Sequence, residues 1–255
     1  MAVVSLLEST FQHADGVGPL AEKMLWEAGA RTWSDYLANP ESTKWPLSEL
    51  QRSMLKPVIE ESQARLADED FEWFASRLPV KEHWRAVPAF GHRLGFLDIE
   101  TTGMMDAGHI TVVGLYDGRT VHQFVKGKNL HEFPEAMAEV AMIVTFFGTG
   151  FDIPFLKKEF VGLQFPQMHV DLCYHFRRLG MKGGLKSIEN QLGIFRSNAT
   201  TGLNGMDAVR LWHEAELGRE KSLETLLAYN ADDVRNMSDL LSEGYRRMAR
   251  TLLVG

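Results

Sequence analysis

Residues 96–103 read FLDIETTG. Asp98 and Glu100 alternate with Leu97 and Ile99, side chains that gain by leaving water. The period of two predicts a strand, and on a strand residues i and i+2 share a face. The two carboxylates then stand side by side, near the strand end before Gly103. Two like charges that close cost free energy unless a cation neutralises them. Hard oxygen donors in such a pair suit Mg²⁺ or Mn²⁺; a half-solvated strand face with two hydrated acids is the other reading. The tripeptide itself decides nothing, because Asp70-Phe71-Glu72 has the same form. Its surroundings read as helix, where residues two apart point to different sides.

Two further stretches carry acids in suggestive settings. FDIPFL places Asp152 at a predicted helix start with Pro154 in the first turn. There an aspartate serves equally well as a helix cap. In YNADDV, Tyr229 and Asp233 are four apart and share a helical face. Asp232 points about 100° away, which makes Asp233 the ligand candidate and Asp232 the solvated acid.

The elements that must position these residues fall into two parts. Residues 1 to 85 read as helical: GPLAEKMLWEAG, LSELQRSMLKPVIEESQARL and DEDFEWFASRL carry apolar side chains at helical spacing. Pro and Gly punctuate the passage that follows. From residue 96 the period changes to three short strands, with Asp117-Gly118 marking a hairpin. Next come a helix near 132–140, the strand MIVTFF, a helix over 152–160, the strand MHVDL and helices onward, the last over 222–247. Three consecutive strands followed by alternation with helices predict an α/β fold. The chain is thereby divided into a helical accessory region, 1–85, and a principal domain, 90–255.

The composition sets bounds. In 255 residues there are 45% hydrophobic and 24% charged side chains, a globular balance. Cys173 is the only cysteine, which excludes an internal disulfide and a cysteine-rich metal site. The N-terminal MAVVSLLESTF has no basic n-region and an early glutamate, unlike a signal peptide, and no run is long enough to span a membrane. A cytoplasmic location with no membrane partner is expected. The net charge of −7 argues against a protein that coats nucleic acid non-specifically, but not against an enzyme that holds metal ions with carboxylates.

Four carboxylates and a tyrosine, in this order and on these elements, resemble the DEDD exonucleases of the ribonuclease-H-like fold, in the branch with a tyrosine in the third motif. FLDIETTG, FGTGFDIPFL, VDL, GGLKSIENQLGI and YNADDV are similar to the bacterial YprB-like predicted exonucleases. The likeness extends upstream through FQHADGVGPLAEKMLWEAGARTW and FASRLPVKEHWR, and so covers nearly the whole chain. It implies a mixed β-sheet flanked by helices and a site for two ions of Mg²⁺ or Mn²⁺. Asp98, Glu100, Asp152 and Asp233 would be the ligands, with Asp98 bridging and Tyr229 orienting the attacking water. In such sites the ions sit about 3.5–4 Å apart and clamp the attacking and leaving oxygens. A tyrosine with an ordinary pKa of about 10 is a poor base at neutral pH, so the metals are expected to activate the water. The implied reaction is 3′→5′ hydrolysis of DNA or RNA, releasing nucleoside monophosphates from single-stranded 3′ ends.

The same resemblance brings Thr101 and Thr102 to the terminal nucleotide. Of the basic residues along the expected path, Lys157, Lys158, Arg177, Arg178, Lys182 and Lys186, the last is the preferred phosphate contact. Asp171 supports the site or caps a strand end; Phe151 stacks on a base or joins the core. DGVGPLAEKMLWEAG resembles one helix-hairpin-helix element, whose glycine turn at Gly16 and Gly18 would offer N–H groups to a phosphate, though a plain tight turn has the same signature. One position departs from the family pattern: Phe147 stands where an asparagine is usual, five residues before Asp152.

Two other functions share some of these features. A catalytically weak or inactive nucleic-acid-binding module of the same fold is favoured by Phe147 alone. A haloacid-dehalogenase-type phosphatase has a D-x-D-x-T loop that Asp98–Thr102 nearly matches, but it leaves FDIPFL and Tyr229 unexplained.

Overall fold

The computed structural model describes residues 5–104, 107–197 and 199–254. The chain sorts into two compact units, one comprising residues up to His92 together with Pro166–His169, the other Arg93–Phe165 and the residues from Val170 on.

Apolar spacing and strong caps make the first unit helical. Its helices are α1 (Pro19–Glu27), α2 (Trp33–Leu37), α3 (Glu49–Ala67), α4 (Phe71–Arg77) and the short α5 (Val87–Phe90). Thr32 with Asp35, and Ser48 with Gln51, form reciprocal capping boxes that satisfy free N–H groups at the starts of α2 and α3. Asp70 caps α4 by accepting from the Trp73 N–H, so the second D-x-E tripeptide is a helix start. Buried aromatic rings fill the interior, Trp33 lying parallel to Phe74 at 6.3 Å. Glu22 is buried too, and its charge is matched by Arg85 at 2.9 Å and by donors from Thr10, Phe11 and Gln12. A buried carboxylate without such partners would be costly. Gly16 adopts φ +78 and Gly18 is the residue before α1, but turns precede Gly16.

The second unit is built on β1 (Leu94–Thr101), β2 (Ile110–Tyr116), β3 (Val121–Val125), β4 (Met142–Thr145) and the last two residues of β5 (Met168–Asp171), strands that form one five-stranded sheet in the order β3-β2-β1-β4-β5. β1, β2 and β3 form an antiparallel meander, while β4 runs parallel to β1. The sheet is therefore mixed. The β2–β3 connection closes because the Asp117 carboxylate accepts the N–H groups of Arg119 and Thr120, both at 2.7 Å. Helices α6 (Phe133–Ala136), α7 (Asp152–Glu159), α8 (Leu172–Arg178), α9 (Leu185–Leu192), α10 (Gly205–Glu216) and α11 (Glu220–Val254) complete it.

Both faces of the sheet are covered. Leu97, Ile99, Val113 and Leu115 pack with Phe133, Phe155 and Leu156. Val112 and Val125 pack with Leu211 and Trp212 of α10 and with Leu226 and Tyr229 of α11. Central strands covered on both sides are apolar nearly throughout, which makes the two acids of β1 exceptional.

Three elements of the second unit differ from their sequence-based bounds by two residues or more. The helix expected near 132–140 is α6 between two 3₁₀ turns, Leu130–Glu132 and Met137–Glu139, with Pro134 at its start. β4 ends at Thr145 rather than Phe147, where the chain turns. α11 is longer than 222–247 at both ends. Among the described residues, no helix is long and apolar enough to cross a membrane.

Candidate metal centre

Alternation along β1 sends Leu97 and Ile99 into the core shared with α7, and Asp98 and Glu100 to the face covered by α11. α11 presents Tyr229 and, one turn later, Asp233 to the same place. One carboxylate oxygen each from Asp98, Glu100 and Asp233 lie within 4.8 Å of one another. Glu100 and Asp233 are buried and Asp98 is partly so.

Asp152 approaches through the backbone. The parallel pairing of β1 with β4 ends at Phe96 and Val144. Beyond it the Ile99 N–H donates to Asp152 Oδ1 at 3.1 Å. Asp152 is the first residue of α7, and the cap position, Phe151, makes no side-chain cap bond. The expected alternative role as a helix cap is thus not the one adopted: the carboxylate ties α7 to β1.

The electrostatics follow from this crowding. Burial, then the charges of Asp233, Glu100 and Asp152, push the Asp98 carboxyl well above the usual range. Burial and the charges of Asp233 and Asp152 do the same to Glu100. Asp152 is raised to about 7, chiefly by burial, although its own N–H and that of Ile99 pull it down. Asp233 rises to about 6, burial outweighing the nearby Arg196. Tyr229 is driven far above its ordinary value by burial and by Asp233, Glu100 and Asp98, so its hydroxyl is neutral and able to donate.

The donor set fits a divalent cation. Oε1 of Glu100 is buried with no hydrogen-bond partner among the described residues, a costly state for a carboxylate oxygen. An ion held by Asp98, Glu100 and Asp233 would satisfy that atom and offset the mutual repulsion.

Several groups around the cluster escaped sequence reasoning. Arg196, in the loop after α9, holds Glu189 through two bonds of 2.8 Å and meets Asp233 Oδ1 at 2.5 Å. Asn236 Nδ2 donates to Glu189 at 2.9 Å. No periodicity signals a pair joined from such distant positions. Asn230 Nδ2 donates to Asp98 Oδ2 at 3.0 Å, and it had a signal. Gly114, in the middle of β2, pairs with Asp98, and a Cβ there would lie 2.2 Å from Asn230 Oδ1. A glycine inside a strand marks such close approach.

Of the other expected positions, Lys186 lies 4.6 Å over the Tyr229 ring, its Nζ buried and without a hydrogen-bond partner among the described residues. Thr101 is buried, its hydroxyl donating to the Gly103 carbonyl at 2.8 Å, and Thr102 Oγ1 accepts the His109 N–H at 3.1 Å. Both hydroxyls serve the turn after β1. Lys157, Lys158, Arg177, Arg178 and Lys182 are exposed; Lys158 reaches the Gly108 carbonyl at 3.3 Å. Phe151 packs 4.9 Å from Phe155 against the core. Asp171 caps α8 through the Cys173 N–H and also accepts from Phe147 and Thr149. Asp232 is not the solvated acid that the helical wheel suggests. It accepts from the Ser197 N–H and hydroxyl and from the Thr200 hydroxyl, fastening that loop to α11.

Among solved structures, a family B DNA polymerase from the hyperthermophilic archaeon Pyrobaculum calidifontis is similar at 18% identity and a TM-score of 0.45. The likeness covers 63% of this chain and 24% of that one, so the chain matches about a quarter of the polymerase. No curated protein sequence matches. The model of the RNase_H superfamily matches residues 95–244, more than half of the chain and a span that contains every carboxylate of the cluster. The chain belongs to the RNase_H superfamily.

Proposed function

We propose that this protein is a metal-dependent 3′→5′ exonuclease of the DEDD type, in the tyrosine branch and similar to the YprB-like group, acting on DNA or RNA and releasing nucleoside monophosphates. The observation that carries the reading is the convergence of Asp98, Glu100 and Asp233 within 4.8 Å around a buried, unsatisfied Glu100 oxygen. Two ions of Mg²⁺ or Mn²⁺, held by these three and Asp152, would supply Lewis acidity and an activated water to phosphodiester hydrolysis.

The chain's own residues have definite parts. Asp152, fixed on the Ile99 N–H, keeps α7 against the strand that bears Asp98 and Glu100. Asn230 fixes the Asp98 carboxylate. The neutral Tyr229 hydroxyl can donate a hydrogen bond but cannot take up a proton, which suits orientation of the attacking water and not its deprotonation. Lys186, with its ammonium over the Tyr229 ring, provides positive charge for a phosphate oxygen. Arg196, anchored by Glu189, neutralises Asp233 in the absence of an ion.

The test is a 5′-labelled oligonucleotide incubated with Mg²⁺ or Mn²⁺. A ladder of products shortened from the 3′ end is expected, abolished by chelator and reduced at least about 100-fold in Asp98→Asn, the size of effect seen when charge stabilisation is removed from an active site. Identical behaviour of wild type and Asp98→Asn, with no ladder, overturns the reading. Retained oligonucleotide binding without a ladder would point to the inactive module of the same fold. The phosphatase reading has no structural support, since β1 lies beside antiparallel β2 and Asp232-Asp233 sit in mid-helix.

A further inference from the structure

Phe147, the departure from the family's second motif, lies in an unusual place. Among the described residues only Glu69 and Phe147 are non-glycines with positive φ, and Phe147 is at +66. A bulky side chain is disfavoured in the left-handed region and persists there when the surroundings over-determine it. They do. The Asp171 carboxylate accepts the Phe147 N–H at 2.8 Å and the Thr149 N–H at 3.0 Å. Thr145 Oγ1 accepts the Gly148 N–H, and the Phe147 carbonyl accepts from Gly150.

This turn spends its conformational freedom on holding a phenylalanine outward. Phe147 is 42% exposed, with the tip of its ring over Gly150, where an added Cβ would lie 2.8 Å from Cζ. Next to it stands Tyr174 of α8, 43% exposed, with ring centroids 6.4 Å apart and planes tilted by 38°. The Arg177 guanidinium lies 5.2 Å from the centre of the Tyr174 ring. The turn runs straight into α7, the Ile153 N–H donating to the Gly148 carbonyl, so the ledge is one turn ahead of Asp152.

We propose that Phe147 and Tyr174 form a stacking platform for a nucleobase of single-stranded nucleic acid, with Arg177 supplying charge for the adjoining phosphate. Exposed aromatic faces with an arginine beside them are what sequence-tolerant single-strand binding requires, because every base has a π-face. The assignment rests on the nuclease reading. It reverses the meaning of the missing asparagine: the position has exchanged a side chain suited to left-handed backbone for one suited to a base.

The test separates the two readings by measuring binding without cleavage. Fluorescein-labelled dT12 and rU12 are titrated, with chelator present, into wild type, Phe147→Asn, Tyr174→Ala and the double variant. Asparagine tolerates positive φ, so Phe147→Asn should melt at or above the wild-type temperature while losing the ring. Each single variant should weaken binding about 5- to 100-fold. Replacing nucleotides one at a time with abasic sites should reveal one position whose loss costs wild type a similar factor and the double variant nothing. A preference for dT12 or rU12 identifies the kind of strand. Wild-type affinity in a folded Phe147→Asn, equal losses on intact and abasic strands, or no binding by wild type overturns the platform. The exonuclease ladder is scored separately: cleavage by wild type with unaltered binding in the variants sinks the platform and leaves the nuclease reading standing.

Discussion

Glu100 shows how a side chain can be poor for the stability of the metal-free fold and yet suited to the proposed metal site. Its carboxyl is held far above the ordinary range by burial and neighbouring acids, with one oxygen unsatisfied. A carboxyl whose folded pKa exceeds its unfolded value stabilises the fold below the unfolded pKa and loses that contribution as pH rises through the folded one. Metal-free protein should therefore lose stability as pH climbs from 4.5, the ordinary glutamate value, through the values near 6 and 7 of Asp233 and Asp152. Glu100→Gln should flatten that decline and, at pH 8, raise metal-free stability by roughly 1–3 kcal/mol. Thermal melts across pH, with and without Mg²⁺, check both points; Mg²⁺ should raise the melting temperature of wild type and leave the variant nearly unmoved. Arg196 is the opposite case. Its loss leaves Glu189 and Asp233 without their buried counter-charge, so Arg196→Met should cost about 3–5 kcal/mol in metal-free denaturant unfolding. Pairing it with Glu189→Gln should recover part of the loss, the coupling expected of direct contact.

At the scale of elements, the site depends on the close approach of β2 to α11. Gly114→Ala would place a methyl 2.2 Å from Asn230 Oδ1. Asn230 is fully buried and bonded to Gln123 and Asp98, so it cannot swing aside freely. The variant should lose about 1–3 kcal/mol from overpacking and weaken the proposed nuclease activity, read by unfolding and by the labelled-strand assay. The elements themselves were legible where the signal was local. Alternation revealed β1, Asp117-Gly118 the hairpin, and four-residue spacing the shared face of Tyr229 and Asp233. The helix over 132–140 was not, since its apolar residues fit a continuous helix while Pro134 starts a short one between 3₁₀ turns. Nor could spacing reveal that Asp152 would serve the Ile99 N–H or that Asp232 would tie down the 197–200 loop. Those bonds depend on where a ladder ends and where a distant loop lands.

For the whole molecule, the two units should respond differently to acid. In the first unit His83 is held neutral, its Nδ1 accepting the His169 N–H at 2.9 Å while Nε2 bonds the Leu78 carbonyl at 3.0 Å. Burial lowers it to about 4 and lowers His13, bonded to Ser62, to about 4 as well. A histidine whose folded pKa is depressed takes up its proton more readily when unfolded, so stability falls as pH drops from 6.5 towards 4. The contribution is on the order of 3 kcal/mol for each. Amide exchange mapped by mass spectrometry between pH 7 and 4, corrected for intrinsic rates, should show protection lost first around His13 and His83. The carboxylate cluster of the second unit should by then be protonated and relieved of repulsion.

The order of the chain has a consequence for how the protein is made. β1 supplies Asp98 and Glu100, but Asp233 arrives only on α11, 135 residues after Asp98 (98 to 233). At about 5–20 residues per second, a ribosome needs many seconds to bridge that gap. Until α11 docks on the sheet, the acids of β1 have neither Asp233 nor Asn230 beside them. A growing chain that has not yet added α11 therefore carries an unassembled centre, and a protein proposed to degrade nucleic acid would become competent only after the stretch that encodes α11 had been read.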